Sequence, residues 1–231
     1  MISQATSLLE QLRDGVVVSC QAGPGSPLNS PAIIAALAGS AARGGARGFR
    51  VDGPANITAV RAANPLPIIG IHKREQPGSP VYITPTLADA EAVVAAGADI
   101  VALDGTARPR PAGETLERII AGVHRLGRPV MADIATAAEG RAAIDAGADV
   151  VATTLAGYTE QSSAADGPAF ALVEELTAAG VPTIVEGRIW TVEEVQRCFA
   201  AGAYAVVIGS AITVPEFITR RFVQAAAEVR S

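Results

Sequence analysis

Eight short apolar runs rich in β-branched residues recur along the chain, separated by longer alanine-rich segments. They are Val16–Cys20, Gly48–Val51, Ile68–Ile71, Ile100–Asp104, Val130–Asp133, Val150–Thr153, Thr183–Glu186 and Ala205–Ile208. Continuous apolar runs of this length read as strands covered on both faces. The segments between them carry helix-start signals. Ser30-Pro31 places a cap before a proline at the first helical position. Thr86, Thr115, Thr136 and Thr191 open further helices, and Thr191 with Glu194 fits a capping box. The last helix is expected from about Pro215 to Val229. Helices end on similar small-residue turns: Ala96-Gly97-Ala98-Asp99, Ala146-Gly147-Ala148-Asp149 and Ala201-Gly202-Ala203-Tyr204, with Gly44-Gly45-Ala46-Arg47 a looser copy. The turns recur at roughly 50 residues, the length of two βα units, so they form a weak internal repeat.

Eight strands alternating with eight helices in 231 residues predict one α/β domain. The expected architecture is a (β/α)8 TIM barrel of the phosphate-binding type over residues 1–231, with a short N-terminal helix. The competing fold is a doubly wound open sheet, whose dinucleotide version needs G-x-G-x-x-G after the first strand. Here that position reads Gly23-Pro24-Gly25-Ser26-Pro27-Leu28, which lacks the third glycine and is broken by two prolines. A P-loop is also missing, since Lys73, the only lysine, is followed by Arg74.

Composition narrows the function classes. A hydrophobic content of 49% supplies a large core, and 18% charged residues argues against disorder. The net charge of -5 disfavours nucleic acid as a partner, because a phosphate-backbone binder needs a basic face. Cys20 and Cys198 are far apart and lack metal-ligand spacing, so a reduced, cytoplasmic protein is expected. The N-terminal stretch carries Glu10 and Asp14 and reads as neither signal peptide nor anchor. No stretch approaches the roughly 20 apolar residues of a membrane span, so no membrane role is expected.

In a barrel, chemistry sits at the C-terminal ends of the strands. Those ends read Ser19-Cys20-Gln21, Arg50, His72-Lys73-Arg74, Asp104, Asp133, Thr153-Thr154, Glu186-Gly187-Arg188 and Gly209-Ser210. Any one polar strand end could simply meet solvent. Eight together point to a mouth. Alternation sharpens this: if Lys73 points inward, Ile69 and Ile71 share its face and His72 points out toward the helices. His72 then reads as a packing or capping residue, His124 as a surface residue and Cys20 as a small buried hydrophobe.

Lys73 and Glu186 carry the most mechanical content. Strands 3 and 7 oppose each other in an eight-strand barrel, so two acid–base groups there can reach both faces of one carbon. Inversion of a C–H stereocentre by two bases requires that. Lys73 must lose a proton to act as a base, and burial beside Arg50 would favour the loss. Arg188, two residues on, is expected to keep Glu186 charged. Gly187, Gly209 and Ser210 let backbone N–H groups approach an anion, the usual phosphate position of such barrels.

The segments VVVSCQAGPGSPL, PIIGIHKRE, YITPTLADAEAVVAAGADIVALDGTARPRP, MADIAT, ATTLAGYT, VEGRIWT and VIGSAIT run through nearly the whole chain. Together they closely resemble the N-acylglucosamine-6-phosphate 2-epimerases, also called N-acetylmannosamine-6-phosphate 2-epimerases. The resemblance implies an isomerase of sialic acid and amino-sugar breakdown. It would interconvert N-acetylmannosamine 6-phosphate and N-acetylglucosamine 6-phosphate. The family's lysine and glutamate map onto Lys73 and Glu186 as the catalytic pair. Its substrate-contacting positions map onto Arg50, Asp133 and Gln21, and Arg188 follows the matched glutamate. The family implies no redox cofactor and a homodimer, and no metal site is expected.

One departure stands out. Many members carry arginine after the Ala-Ile-Thr that follows the Gly-Ser pair, where this chain has Val214. That removes a charge-assisted phosphate contact, typically worth about 1.5–3 kcal/mol. Arg188, Arg220 or Arg221 are candidates to replace it. The segment Glu160–Gly167 also departs from the family. The alternatives are a non-catalytic barrel that senses an amino-sugar phosphate, or another phosphate-binding barrel such as a pentulose-phosphate epimerase or thiamine-phosphate-type synthase. Pentulose-phosphate epimerases commonly build metal sites from His and Asp, and the two histidines here are poorly placed for one.

Overall fold

A computed structural model describes residues 8–162 and 166–228. Eight parallel strands close into a barrel in chain order: β1 (Val16–Cys20), β2 (Gly48–Asp52), β3 (Ile68–Ile71), β4 (Ile100–Asp104), β5 (Val130–Asp133), β6 (Val150–Ala152), β7 (Thr183–Glu186) and β8 (Ala205–Ile208). Around them lie α1 (Pro31–Arg43), α2 (Pro54–Ala63), α3 (Leu87–Ala95), α4 (Leu116–Arg125), α5 (Ala137–Asp145), α6 (Phe170–Ala178) and α7 (Val192–Ala200). A short helix α8 (Ser210–Thr213) and a longer α9 (Pro215–Glu228) follow. The (β/α)8 expectation holds.

Two strand ends differ from the sequence reading. β2 runs on to Asp52, and β6 stops at Ala152 because Thr153–Leu155 tightens into a 3-10 turn. Residues 8–10 are helical, while the rest of the expected N-terminal helix lies outside the described residues. So do the expected helix end at Val229 and the centre of the 160–167 segment.

Strand alternation sorts the core into two layers. Val17, Ile69, Ile71, Ile100, Ala102, Met131, Val150, Ala152, Ile184, Ala205 and Val207 fill the barrel interior. Val18, Cys20, Phe49, Val51, Ile68, Val101, Leu103, Val130, Ala132 and Val151 face the helices. Leu12 closes the bottom, so close to β2 that a Cβ on Gly48 would lie 2.8 Å from its Cδ2.

Local signals explain the helices. Thr86, Thr115, Thr136 and Thr191 each accept a hydrogen bond from the backbone three residues on. Both Thr191–Glu194 and Thr136–Glu139 form full capping boxes, the second not expected from sequence. The repeated turns end their helices through Gly97 and Gly147 at φ of 106° and 104°, where a Cβ would be strained. The aspartates that follow have a purpose too. Asp99 accepts from Ile68 N at 3.0 Å and Asp149 from Val130 N at 2.8 Å, each locking a helix exit onto the preceding strand.

The last helix behaves differently from its predecessors. No residue of α9 is buried, and Phe217, Phe222 and Val223 are exposed. It meets the rest of the chain chiefly at α8 and where Arg221 stacks 4.3 Å over the Trp190 ring. Among the described residues, no helix is long and apolar enough to cross a membrane.

Candidate active site

The inward parity that fills the barrel continues past its apolar layers. On β2 the inward residue is Arg50, on β5 Asp133 and on β7 Glu186, each two positions beyond an inward-facing residue. Gln21 and Lys73 continue the inward rows of β1 and β3, and Gly209 that of β8. The polar strand ends therefore converge on one mouth, and they form two groups.

Arg50 organises the first group. Its side chain is 1% exposed, and Asp133 is wholly buried. Arg50 Nη1 donates to Asp133 Oδ1 at 2.9 Å and Nη2 to Asp133 Oδ2 at 2.6 Å, a bidentate pair. Nη1 also reaches Glu186 Oε2, and lies 3.2 Å from Thr154 Oγ1. Burial works against the guanidinium charge, but the two carboxylates outweigh it and raise Arg50 above the ordinary arginine value. Arg50 Nε stays buried without an acceptor.

Glu186 is the more exposed carboxylate of this group, at 15%. Among the described residues, side chains engage only its Oε2. Burial pushes its carboxyl above the usual range; Arg50 opposes that shift and Asp133 adds to it. The expectation that Arg188 holds Glu186 charged is corrected here. Arg188 adopts φ of 56° directly after Gly187, which turns its side chain away. It donates to Ala156 O at 2.9 Å and stacks 4.5 Å over the Tyr158 ring. The ion-pair partner of Glu186 comes from β2 instead, a cross-barrel pairing that sequence proximity does not reveal.

Lys73 belongs to the second group. Its Nζ donates to Gln21 Oε1 at 2.7 Å, and Gln21 Nε2 donates to Ser19 Oγ at 2.8 Å. Among the described residues no ion pair forms at Lys73. The residue remains open to solvent at the mouth, yet the surrounding walls displace enough water to lower its ammonium from the ordinary lysine value. Asp52 opposes that shift, and Arg50 reinforces it. β3 and β7 lie four strands apart in either direction around the closed order. Lys73 and Glu186 thus stand across the mouth and feel each other's charge.

At the β7–β8 edge, Gly187 has φ of 114° and Gly209 precedes α8. Ser210 and Ala211 open a helical turn whose first N–H groups have no intrahelical acceptor. Thr213 Oγ1 donates to Ser19 O at 2.7 Å and ties that turn to β1. Arg220 pairs with Glu216, and Arg221 is occupied by Trp190.

Sequence reasoning gave no role to three supporting residues: Thr153 and Thr154, seen only as polar strand ends, and Asp52. Thr154 Oγ1 donates to Asp133 Oδ1 at 2.6 Å and lies 3.4 Å from Glu186 Oε2, so one hydroxyl joins both carboxylates. Thr153 Oγ1 donates to Glu186 O at 3.0 Å and accepts from Glu186 N at 3.1 Å, which pins the backbone of that residue. Asp52 Oδ1 accepts from Lys73 N at 2.9 Å. The signal for the threonines was the paired polar end of β6; for Asp52 it was one more residue of β2. The histidines follow the expectation. His72 Nδ1 sits 3.2 Å from Asp89 Oδ1, outside hydrogen-bond geometry, and His124 Nε2 meets Asp149 at 2.8 Å on the surface. Among the described residues no cluster of three His, Cys, Asp or Glu side chains is arranged to hold a metal ion.

Two acid–base groups therefore face each other across the mouth. An amine whose proton affinity is lowered faces a carboxyl whose proton affinity is raised, which brings the two groups closer in acidity than in water. An arginine–aspartate pair fixes one partner, and a glutamine fixes the other.

Residues 34–228 match the family model "Putative N-acetylmannosamine-6-phosphate epimerase". A relative from Caldanaerobacter subterraneus subsp. tengcongensis, named "Putative N-acetylmannosamine-6-phosphate 2-epimerase", is 46% identical over 221 residues, covering 94% of this chain and 92% of its own. One of the same name from Klebsiella pneumoniae is 45% identical over 218 residues, covering 92% of each. The solved N-acetylmannosamine-6-phosphate 2-epimerase from Clostridium perfringens superposes with a TM-score of 0.93 at 40% identity, over 94% of this chain and 96% of that one. A thiamine phosphate pyrophosphorylase from Pyrococcus furiosus, at 15% identity and a TM-score of 0.57, shares the fold alone. By its sequence and its barrel fold, this chain belongs to the N-acetylmannosamine-6-phosphate 2-epimerase family.

Proposed function

We propose that the chain, read over 1–231 as one barrel domain, epimerises N-acetylmannosamine 6-phosphate and N-acetylglucosamine 6-phosphate at C2, in sialic acid and amino-sugar catabolism. The observation that carries this reading is the opposition of Lys73 and Glu186 on β3 and β7.

The sugar first opens to its aldehyde, which makes the C2 hydrogen acidic as an α-carbonyl proton. One of the two groups takes that proton, and the C2–H electron pair moves into the C1–C2 bond and onto the aldehyde oxygen. The opposite group then returns a proton to the other face of C2, and the carbonyl reforms. A neutral Lys73 is the base for one direction and an ionised Glu186 for the other. Arg50 orients the substrate and holds Glu186, while Asp133, buried beneath, acts through Arg50. Gln21 positions Lys73 and a substrate hydroxyl.

The phosphate binds at Gly187, Gly209 and Ser210. Arg188 supplies charge there in place of the arginine that Val214 replaces; it follows Gly187 directly and keeps guanidinium donors beyond the one given to Ala156. The reaction as written needs no cofactor. The enzyme works in the cytoplasm as a homodimer. Support for the dimer is the exposed apolar face of α9, beside an open groove of about 390 Å3 lined in part by Val16, Val18, Leu37, Ala41 and Ile212.

Incubation with N-acetylmannosamine 6-phosphate in D2O tests the reaction. Loss of the C2 proton signal with growth of the gluco epimer is expected, and Lys73→Ala is expected to abolish both. A folded protein that binds the sugar phosphate without exchange would overturn the enzymatic reading in favour of a sensor. Sedimentation at micromolar concentration tests the dimer, and a monomer there would overturn it.

A further inference from the structure

The β3–β4 seam is short. Only Ile69 with Ile100 and Gly70 with Val101 are in register across it. Above those pairs the two strands are joined by a returning segment, Ile83-Thr84. Thr84 N donates to His72 O at 2.9 Å, and His72 N donates to Thr84 Oγ1 at 3.1 Å. The same hydroxyl donates to Ala102 O at 2.7 Å, and Asp104 N donates to Ile83 O at 3.0 Å. A two-residue wedge thus completes the backbone pairing that β3 and β4 leave open.

Thr84 breaks a local rule to do this. It is wholly buried with φ of 44°, a region where β-branched residues are rare and glycine or asparagine would sit easily. Neither of those offers a hydroxyl that accepts from one strand and donates to the other. The strained threonine therefore carries something the relaxed residues lack, and strain of this kind is most often found beside functional groups.

What it holds is the residue before Lys73. Thr84 takes both backbone polar groups of His72. Lys73 is then bridged antiparallel to Ile83, Arg74 N donates to Tyr82 O at 2.8 Å, and Lys73 N is held by Asp52. The lysine backbone is fixed from both sides, leaving only the side-chain torsions to aim the amine. Thr153 treats Glu186 in a similar way across the mouth, with one hydroxyl on both its backbone groups.

We propose that Thr84 is a positioning residue for Lys73: its hydroxyl wedges β3 from β4 and fixes the backbone from which the amine reaches Gln21 and the reacting carbon. The proposal rests on the reading of Lys73 as an acid–base group, and its test separates the two. Lys73 is the sole lysine, so protein labelled with lysine 13C at Cε and 15N at Nζ gives one side-chain resonance to titrate. Thr84→Val removes the hydroxyl at constant shape. Thr84→Gly removes it while accepting the positive φ, and circular dichroism confirms that it stays folded.

In both variants the amine leaves its partly dry position, and the titration midpoint rises toward the ordinary lysine value. The misplaced amine lowers kcat about 10- to 100-fold, with KM nearly unchanged. Thr84→Ser, which keeps the hydroxyl, restores both. A folded Thr84→Gly or Thr84→Val protein with the wild-type titration curve overturns the proposal. The titration reads this whether or not the wild type turns over. A Lys73→Ala protein that keeps full turnover sinks the acid–base reading and leaves the titration result standing.

Discussion

Replacing Asp133 with asparagine should move the pH profile in a direction that the geometry dictates. Asp133 Oδ1 and Glu186 Oε2 lie 2.6 and 3.4 Å from the same Thr154 hydroxyl, so they are at most about 6 Å apart. At an effective dielectric of about 20, two charges at that distance repel by about 3 kcal/mol, which is about two pK units. In the wild type, burial raises the Glu186 carboxyl, Arg50 opposes and Asp133 adds to the rise. Asparagine removes the repulsion and leaves the whole guanidinium charge to Glu186, so its proton affinity falls. The assay is kcat/KM against pH in both directions. Where Glu186 is the base, the acid limb moves to lower pH by up to about two units; where it is the acid, the alkaline limb does. Stability follows the same sign. A carboxyl raised by folding stabilises below its unfolded value and loses that contribution as pH rises through its folded value, and this loss should shrink in Asp133→Asn. A limb that stays in place, or moves to higher pH, would refute the electrostatic reasoning.

Other consequences are simpler to read. Gly48→Ala places a Cβ 2.8 Å from Leu12 Cδ2 and 2.9 Å from Pro67 O, so it should destabilise by about 1–3 kcal/mol in urea unfolding. An unchanged midpoint would mean that Leu12 does not plug the barrel. Burial pushes the Cys20 thiol up to about 12 and the Cys198 thiol up to about 11, so few thiolates form at pH 8. A thiol reagent should therefore count none in the native protein and two after unfolding, and fast native labelling would contradict the burial of both side chains.

Much of this fold is visible in the sequence for a physical reason. A strand covered on both faces must be apolar throughout, so all eight announce themselves, and a helix that starts at a threonine leaves that cap on view. The mouth is legible through the same alternation, because Arg50, Asp133 and Glu186 fall on the inward parity of their strands. Pairing across the barrel is not legible. Arg188 stands two residues from Glu186, yet its positive φ sends it to Tyr158, and Arg50 takes its place from five strands earlier in the chain. Thr154 was one of several polar strand ends until β5 and β7 flanked it. Thr84 lies in a loop whose wedge depends on how far β3 and β4 separate, which no local pattern encodes. The last helix shows the reverse case: it was expected from the sequence, but not that none of its residues would be buried.

The central claim is that two groups, one on each side of C2, share the reaction. Glu186→Gln tests it most directly when each epimer is incubated separately in D2O. The account predicts that the variant still exchanges the C2 hydrogen of the epimer whose C–H bond faces Lys73, while forming almost none of the other epimer. If Glu186→Gln epimerises at the wild-type rate, Lys73 must serve both faces alone, and the opposition of β3 and β7 would not be the source of the activity.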